Sequence, residues 1–224
     1  MSQSRLFWMV ISRFVLVFLA LAAFLFFSAG TWNYWQAWVY LGMMLVMMTV
    51  VLAYLFKNDP KLLERRMRLR EKETEQKRIV NLSLIPFLAL YILPGLDLRF
   101  GWSQVPPGLS LLADGLVLAG YVLVWLVFRE NSYTSRIIEV EPGQRVISSG
   151  PYAVIRHPMY AGSLLLYIFS PLALGSFWTV LLTLSIVWVL VARIKNEEAV
   201  LTRDLPGYAE YLQKVKYRLI PGVW

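Results

Sequence analysis

The side chains best suited to chemistry lie in two short segments, one before and one after the last long apolar run of the chain. Residues 156–160 read Arg-His-Pro-Met-Tyr, and residues 193–198 read Arg-Ile-Lys-Asn-Glu-Glu. Arginine and histidine can hold a carboxylate, and a glutamate can hold an ammonium group. If the fold brings the two segments together, they can bind a zwitterionic amino-acid group.

Each segment also has a plainer interpretation. Pro158 suits the first position of a helix, where its missing N–H costs nothing. The N–H groups of that first turn would favour an anion, assisted by Arg156 and His157, although basic and aromatic residues are also common at a membrane interface. Arg193 and Glu197 are four residues apart on one helix face, which by itself indicates a weak surface ion pair.

The composition indicates an integral membrane protein. The 224 residues are 58% hydrophobic and 16% charged, whereas a soluble domain is about 45–50% apolar and about 25% charged. The chain has no cysteine, which excludes disulfides, thiolate metal sites and cysteine nucleophiles. Its one histidine, His157, excludes a multi-histidine metal centre, and we predict no metal.

Four apolar stretches are candidates for membrane-spanning helices, which need about 20 residues to cross the hydrocarbon core. They cover about residues 6–29, 32–56, 79–96 and 109–128. The third is short and interrupted by Pro86 and Pro94. The predicted fold is therefore all-α, an integral membrane helical bundle.

The last apolar run, residues 159–192, has no charged residue. At the helical rise it would extend about 51 Å, too far for one ordinary span. Pro171 and Gly175 divide it into two pieces of similar length. We therefore predict four spans plus a C-terminal helical hairpin; one long, steeply tilted helix is the alternative.

The basic residues predict the orientation of the chain. Residues 57–78 contain nine Lys/Arg against five Asp/Glu, and the loop 129–156 and the tail after residue 193 are also basic. The positive-inside rule places all three in the cytoplasm, together with the N-terminus. The net charge of +8 thus reflects topology and contact with anionic lipid rather than nucleic-acid binding.

The C-terminal half, about residues 131–224, resembles the isoprenylcysteine carboxyl methyltransferase family and its phospholipid N-methyltransferase relatives. The resemblance rests on four groups of residues: Gly150-Pro151-Tyr152, Arg156-His157-Pro158-x-Tyr160-x-Gly162, Arg193-Ile194-x-x-Glu197-Glu198, and the pair Tyr208 and Tyr211. The N-terminal half is similar only in its apolar spans. The resemblance divides the chain into residues 1–128, transmembrane helices with the basic link 57–78, and residues 129–224, a cofactor-binding region.

The family uses S-adenosylmethionine, so the resemblance implies a cytoplasmic site for this cofactor in the loop and tail. Its predicted contacts are Gln144, Arg145, Val146, Ile147, Tyr152, Arg156, His157, Pro158, Met159, Tyr160 and Glu197. The predicted catalytic residues are Arg193, Glu197 and Glu198, with Arg193 facing the methyl acceptor. The expected acceptor is hydrophobic or lipid-like, with a carboxylate such as that of isoprenylcysteine preferred over phospholipids and small thiols.

Two other functions remain open. Membrane reductases of the sterol type use a similar Arg-His-Pro-x-Tyr-x-Gly segment with NADPH, but the pair Glu197-Glu198 and the short N-terminal half argue against this. A small membrane carrier would place polar groups at mid-bilayer, whereas the ionisable groups here cluster at one surface. A soluble-type methyltransferase would need a Gly-rich turn after a strand, which the sequence lacks.

Overall fold

The computed structural model describes residues 2–67, 74–135 and 137–224, with residues 74–80, 82 and 83 described by their backbone alone. These residues form helices joined by loops, and no strand occurs among them. The helices are α1 Gln3–Ala29, α2 Trp35–Asn58, α3 Pro60–Arg66, α4 Thr74–Phe100, α5 Pro107–Glu130, α6 Pro158–Ala173, α7 Phe177–Asp204 and α8 Tyr208–Lys214, with a 3-10 helix at Gly150–Ala153. The predicted all-α class is confirmed.

Within the described residues, four helices are long and apolar enough to cross a membrane: α1, α2, α5 and α7. Three of them match predicted spans to within a few residues. The third predicted span lies in α4, which continues through Pro86 and Pro94 and is longer than the sequence suggested. Membrane helices tolerate such prolines because neighbouring helices support the interrupted backbone, and α4 packs against both α1 and α7.

The predicted hairpin is confirmed, and the alternative of one long helix is wrong. The two helices meet at a short turn around Gly175, whose φ is +82°, and Ser176 caps α7 by accepting a hydrogen bond from the Thr179 N–H at 3.2 Å. The arms are unequal, since α6 has 16 residues and α7 has 28. The second arm therefore carries the charged segment that follows residue 192.

At one end of the bundle, Asp97 joins the end of α4 to the start of α7. Its carboxylate is fully buried and accepts hydrogen bonds from Ser103 N–H at 2.7 Å, Ser103 Oγ at 2.6 Å and Ser176 Oγ at 2.5 Å. A buried carboxylate is stable only when such donors replace water. This network holds together the helix ends opposite the candidate site.

At the other end, α3 holds the loop that follows α5. Leu62 and Leu63 are fully buried against α1, α2 and α5, which stabilises the docking of α3 by about 1.5–3 kcal/mol per side chain. Arg65 then donates to the Ser132 carbonyl at 2.7 Å, and Arg66 donates to the Thr134 carbonyl at 3.3 Å. Within the predicted link 57–78, helix α3 thus contacts the loop. Residues 68–73 of that link lie outside the described residues.

Candidate active site

A cavity of about 360 Å³ lies where α6 begins and α7 ends. Its wall is formed by residues from 131–135 and 137–147, the 3-10 helix, both arms of the hairpin, α8 and the end of α3. Most of the predicted site residues line it: Gln144, Arg145, Val146, Ile147, Tyr152, Arg156, His157, Met159, Tyr160, Arg193 and Glu197. The two segments singled out in the sequence therefore meet in space.

Tyr160 links the two charged residues of α7 that face this cavity. Its hydroxyl accepts a hydrogen bond from Arg193 Nε at 3.0 Å and donates one to Glu197 Oε2 at 2.5 Å. Because Arg193 and Glu197 are one turn apart on α7, a single hydroxyl from α6 can reach both. The arrangement presents a guanidinium and a carboxylate in fixed positions, suited to an anionic and a cationic group of bound molecules.

Glu198 does not line the cavity. Its Oε1 lies 3.1 Å from Arg156 Nη1 and 3.2 Å from His157 Nε2, and its Oε2 accepts a hydrogen bond from Arg218 Nε at 2.8 Å. Arg156 and His157, which we expected to assist an anionic ligand, are thus engaged with this carboxylate. Pro158 is the first residue of α6, as predicted, and also lies outside the cavity lining.

The tyrosines of the tail close the cavity on the side of the loop. Tyr208 and Tyr211 are buried in an apolar cluster that includes Val140 and Val146, and the Tyr211 hydroxyl donates to the Tyr152 carbonyl at 2.8 Å. Burial raises the pKa of Tyr152, Tyr208 and Tyr211. These side chains are therefore neutral, and the hydroxyls of Tyr152 and Tyr211 form hydrogen bonds as neutral groups rather than as anions.

The sequence assigned no role to several residues of the lining, among them Arg66, Ser163 and Tyr167. Ser163 and Tyr167 follow Tyr160 by three and seven residues, so the helical period places all three on one face of α6. The spacing in the sequence could therefore have identified Ser163 and Tyr167 as lining residues. Arg66 comes from the N-terminal half of the chain. Nothing in its local sequence indicates that α3 folds onto the loop.

Comparison with known families adds an independent finding. Residues 111–203 match the model of the Isoprenylcysteine carboxyl methyltransferase (ICMT) family. The matched segment runs from the first turns of α5 to the last turn of α7, so it contains the whole helical hairpin and the loop before it. A comparison with curated proteins gives no significant match.

Proposed function

We propose that this member of the isoprenylcysteine carboxyl methyltransferase family transfers a methyl group from S-adenosylmethionine to a hydrophobic acceptor in the membrane. The acceptor class we favour is a carboxylate on a lipid-like molecule, such as the C-terminal carboxyl of isoprenylcysteine. The proposal is carried by one observation: the hydrogen-bonded chain Arg193–Tyr160–Glu197 in the wall of the cavity.

The chemical character of the lining fits S-adenosylmethionine. Ile137, Ile138 and Val146 provide apolar surface, which suits an adenine ring. The carboxylate of Glu197 suits a sulfonium or an ammonium group, because opposite charges attract strongly in a partly enclosed site. The loop would therefore hold the nucleoside, and the hairpin would hold the charged amino-acid part.

The chain's own residues hold the reactants in place. When bound, S-adenosylmethionine supplies an electrophilic methyl group, whose transfer to a carboxylate oxygen forms an ester, leaves a neutral thioether and releases no proton. A general base is therefore not required. Arg193 holds the acceptor carboxylate through paired hydrogen bonds, and Tyr160 fixes the guanidinium so that the acceptor oxygen can align with the methyl group.

The position of Arg193 on the hairpin supports an acceptor that stays in the membrane. Arg193 lies in α7, directly after the apolar run 159–192, so an acceptor's apolar chain can remain among the helices while its carboxylate reaches the guanidinium. The buried tail residues Leu205, Tyr208 and Tyr211 cover the cavity and exclude water from the reacting groups.

Calorimetric titration of the detergent-purified full-length protein with S-adenosylmethionine, S-adenosylhomocysteine and NADPH tests the proposal. We expect micromolar binding of both adenosyl ligands, abolished by Glu197→Ala and retained by Lys195→Ala, whose side chain is exposed on the same helix. Binding of NADPH alone would move the protein to the reductases. Binding of none of the three would favour a non-enzymatic carrier.

The acceptor is then tested with radiolabelled methyl donor and three compounds. They are an S-farnesylcysteine with a free carboxyl group, the same compound as its carboxamide, and phosphatidylethanolamine in vesicles. We expect a methyl ester on the first compound and no label on the other two. Label on phosphatidylethanolamine alone would overturn the carboxylate assignment and leave the methyltransferase assignment in place.

A further inference from the structure

The tail beyond α8 pairs with the residues that lead into α6. The backbone N–H of Arg156 donates to the Tyr217 carbonyl at 2.9 Å, and that of His157 donates to the Arg218 carbonyl at 3.0 Å. His157 immediately precedes the first residue of α6. The tail therefore provides hydrogen-bond partners for the backbone at the point where α6 begins.

The side chain of Arg218 extends this contact to α7. Its Nε donates to Glu198 Oε2 at 2.8 Å, while the other carboxylate oxygen lies close to Arg156 and His157. The side chain of Glu198 is only 9% exposed. A carboxylate this deeply buried needs its partners, since removing one leaves a poorly solvated charge.

Glu198 and Glu197 are neighbours on α7 and point in different directions. Successive residues of an α-helix are rotated by about 100°, so the direction of one side chain determines that of the next. With Glu198 held by the tail and by the start of α6, Glu197 faces the cavity, where it accepts the hydrogen bond from Tyr160. Arg218 thus reaches the site through Glu198 without lining the cavity.

We infer that Arg218 is a positioning residue for the active site, an inference that rests on the proposed function. It joins the tail, the end of α7 and the start of α6 around the Glu198 carboxylate, and so sets the geometry of Tyr160 and Glu197. Arg218 lies outside the segment 111–203 that matches the family model. Glu198 accordingly has a positioning role in place of the catalytic role predicted from the sequence.

The test compares Arg218→Ala, Arg218→Lys and Lys214→Ala, in the wild-type and in the Tyr160→Phe background. Lys214 is an exposed cation at the end of α8, four residues before Arg218, and serves as the matched control. We expect Arg218→Ala to lower kcat/KM for methyl transfer by about tenfold in the wild-type background. In the Tyr160→Phe background we expect a loss of about twofold or less, because the effects of substitutions at coupled residues are not additive. Arg218→Lys should recover part of the loss, and Lys214→Ala should match its parent.

The melting temperature separates positioning from simple stability. If Arg218 had a purely structural role, Arg218→Ala would lower the melting temperature equally in the wild-type and Tyr160→Phe backgrounds. It would also lower kcat/KM by the same factor in both backgrounds, and that result would overturn the inference. Wild-type kcat/KM in Arg218→Ala would also overturn it, provided that the wild-type protein binds the adenosyl ligands.

Amide hydrogen exchange gives a readout that needs no ligand and no activity. In Arg218→Ala we expect faster exchange over residues 156–162 and 196–200 than in Lys214→Ala, because the contacts around Glu198 are lost. Unchanged exchange in both segments would overturn the inference whatever the protein binds. If the wild-type protein binds no adenosyl ligand but exchange is still faster in Arg218→Ala, the proposed function alone would be overturned.

Discussion

Gly120 of α5 and Gly162 of α6 lie so close together that neither can carry a side chain without displacing the other helix. A Cβ atom on Gly120 would lie 2.9 Å from the Gly162 carbonyl oxygen, and one on Gly162 would lie 2.9 Å from the Gly120 carbonyl oxygen. Small residues of this kind allow membrane helices to pack closely. Because Gly162 follows Tyr160 by two residues, this contact sets the position of the first turn of α6.

Gly162→Ala should therefore weaken both the fold and the site. The new methyl group would also lie 2.8 Å from Val124 Cγ2, and overpacking of this kind costs about 1–3 kcal/mol. We expect a lower melting temperature and about tenfold weaker binding of S-adenosylhomocysteine, measured by calorimetry. Gly115→Ala is the control, since a Cβ there meets nothing within 4 Å and alanine favours the helix. Equal melting temperatures and equal ligand affinities in the two variants would contradict the role of the contact between Gly120 and Gly162.

Tyr160→Phe removes the hydroxyl shared by Arg193 and Glu197. Losing these two hydrogen bonds to charged groups should cost about 1.5–3 kcal/mol of stability each and should release the guanidinium from its fixed orientation. We expect kcat/KM for methyl transfer to fall by about 10- to 100-fold, measured with the labelled donor and a prenylated acceptor. Tyr54→Phe, in α2, should match the wild type; near-normal turnover in Tyr160→Phe would mean that this hydroxyl does not orient the site.

Arg193→Ala should affect the acceptor more than the cofactor. If the guanidinium holds the acceptor carboxylate, its loss should raise the acceptor KM by about tenfold or more and change the Kd of S-adenosylhomocysteine by less than about threefold. Arg193→Lys should recover little, because lysine cannot reproduce the paired geometry of a guanidinium. Equal losses in acceptor KM and ligand Kd would place Arg193 on the cofactor instead.

Asp97→Ala should destabilise the protein without changing the chemistry of the site. The variant leaves the donors of Ser103 and Ser176 without their carboxylate at the opposite end of the bundle, and we expect a cost of about 2–4 kcal/mol. Thermal unfolding in detergent should show the loss, while the folded fraction binds S-adenosylhomocysteine normally. Asp204→Ala is the control, because it removes only an exposed contact with Arg203 and should not change the melting temperature. An unchanged melting temperature for Asp97→Ala would contradict the structural role of the Asp97 network.

The orientation of the protein can be tested cleanly because the chain has no cysteine. We propose that the candidate site faces the cytoplasm, since its loop, link and tail carry the excess of basic residues. In intact cells, a membrane-impermeant maleimide should label Gln104→Cys, in the link after α4, and should label Ser148→Cys only after permeabilisation. Both positions are exposed, so the reverse pattern would place the cavity on the other side of the membrane.

The sequence alone predicted most of the long apolar helices and the two segments that meet at the candidate site. Each span requires a long uncharged run, and such runs are visible without knowledge of neighbouring helices. Gly175 lies in the hairpin turn as predicted, whereas Pro171 lies inside α6 and Pro86 and Pro94 lie inside α4, so these three prolines do not end their helices. A proline's effect on a membrane helix depends on the surrounding helices that support its backbone, which the local sequence does not reveal.

Only the tertiary structure shows which charged side chains face the cavity. Glu197 and Glu198 are chemically identical neighbours, and only the packing of α7 against the tail turns one to the cavity and the other to Arg218. Likewise, Arg66 reaches the cavity because α3 folds back onto the loop. Side-chain direction and contacts between distant segments arise from packing of the whole chain, so they follow from the fold and not from the spacing of residues within a motif.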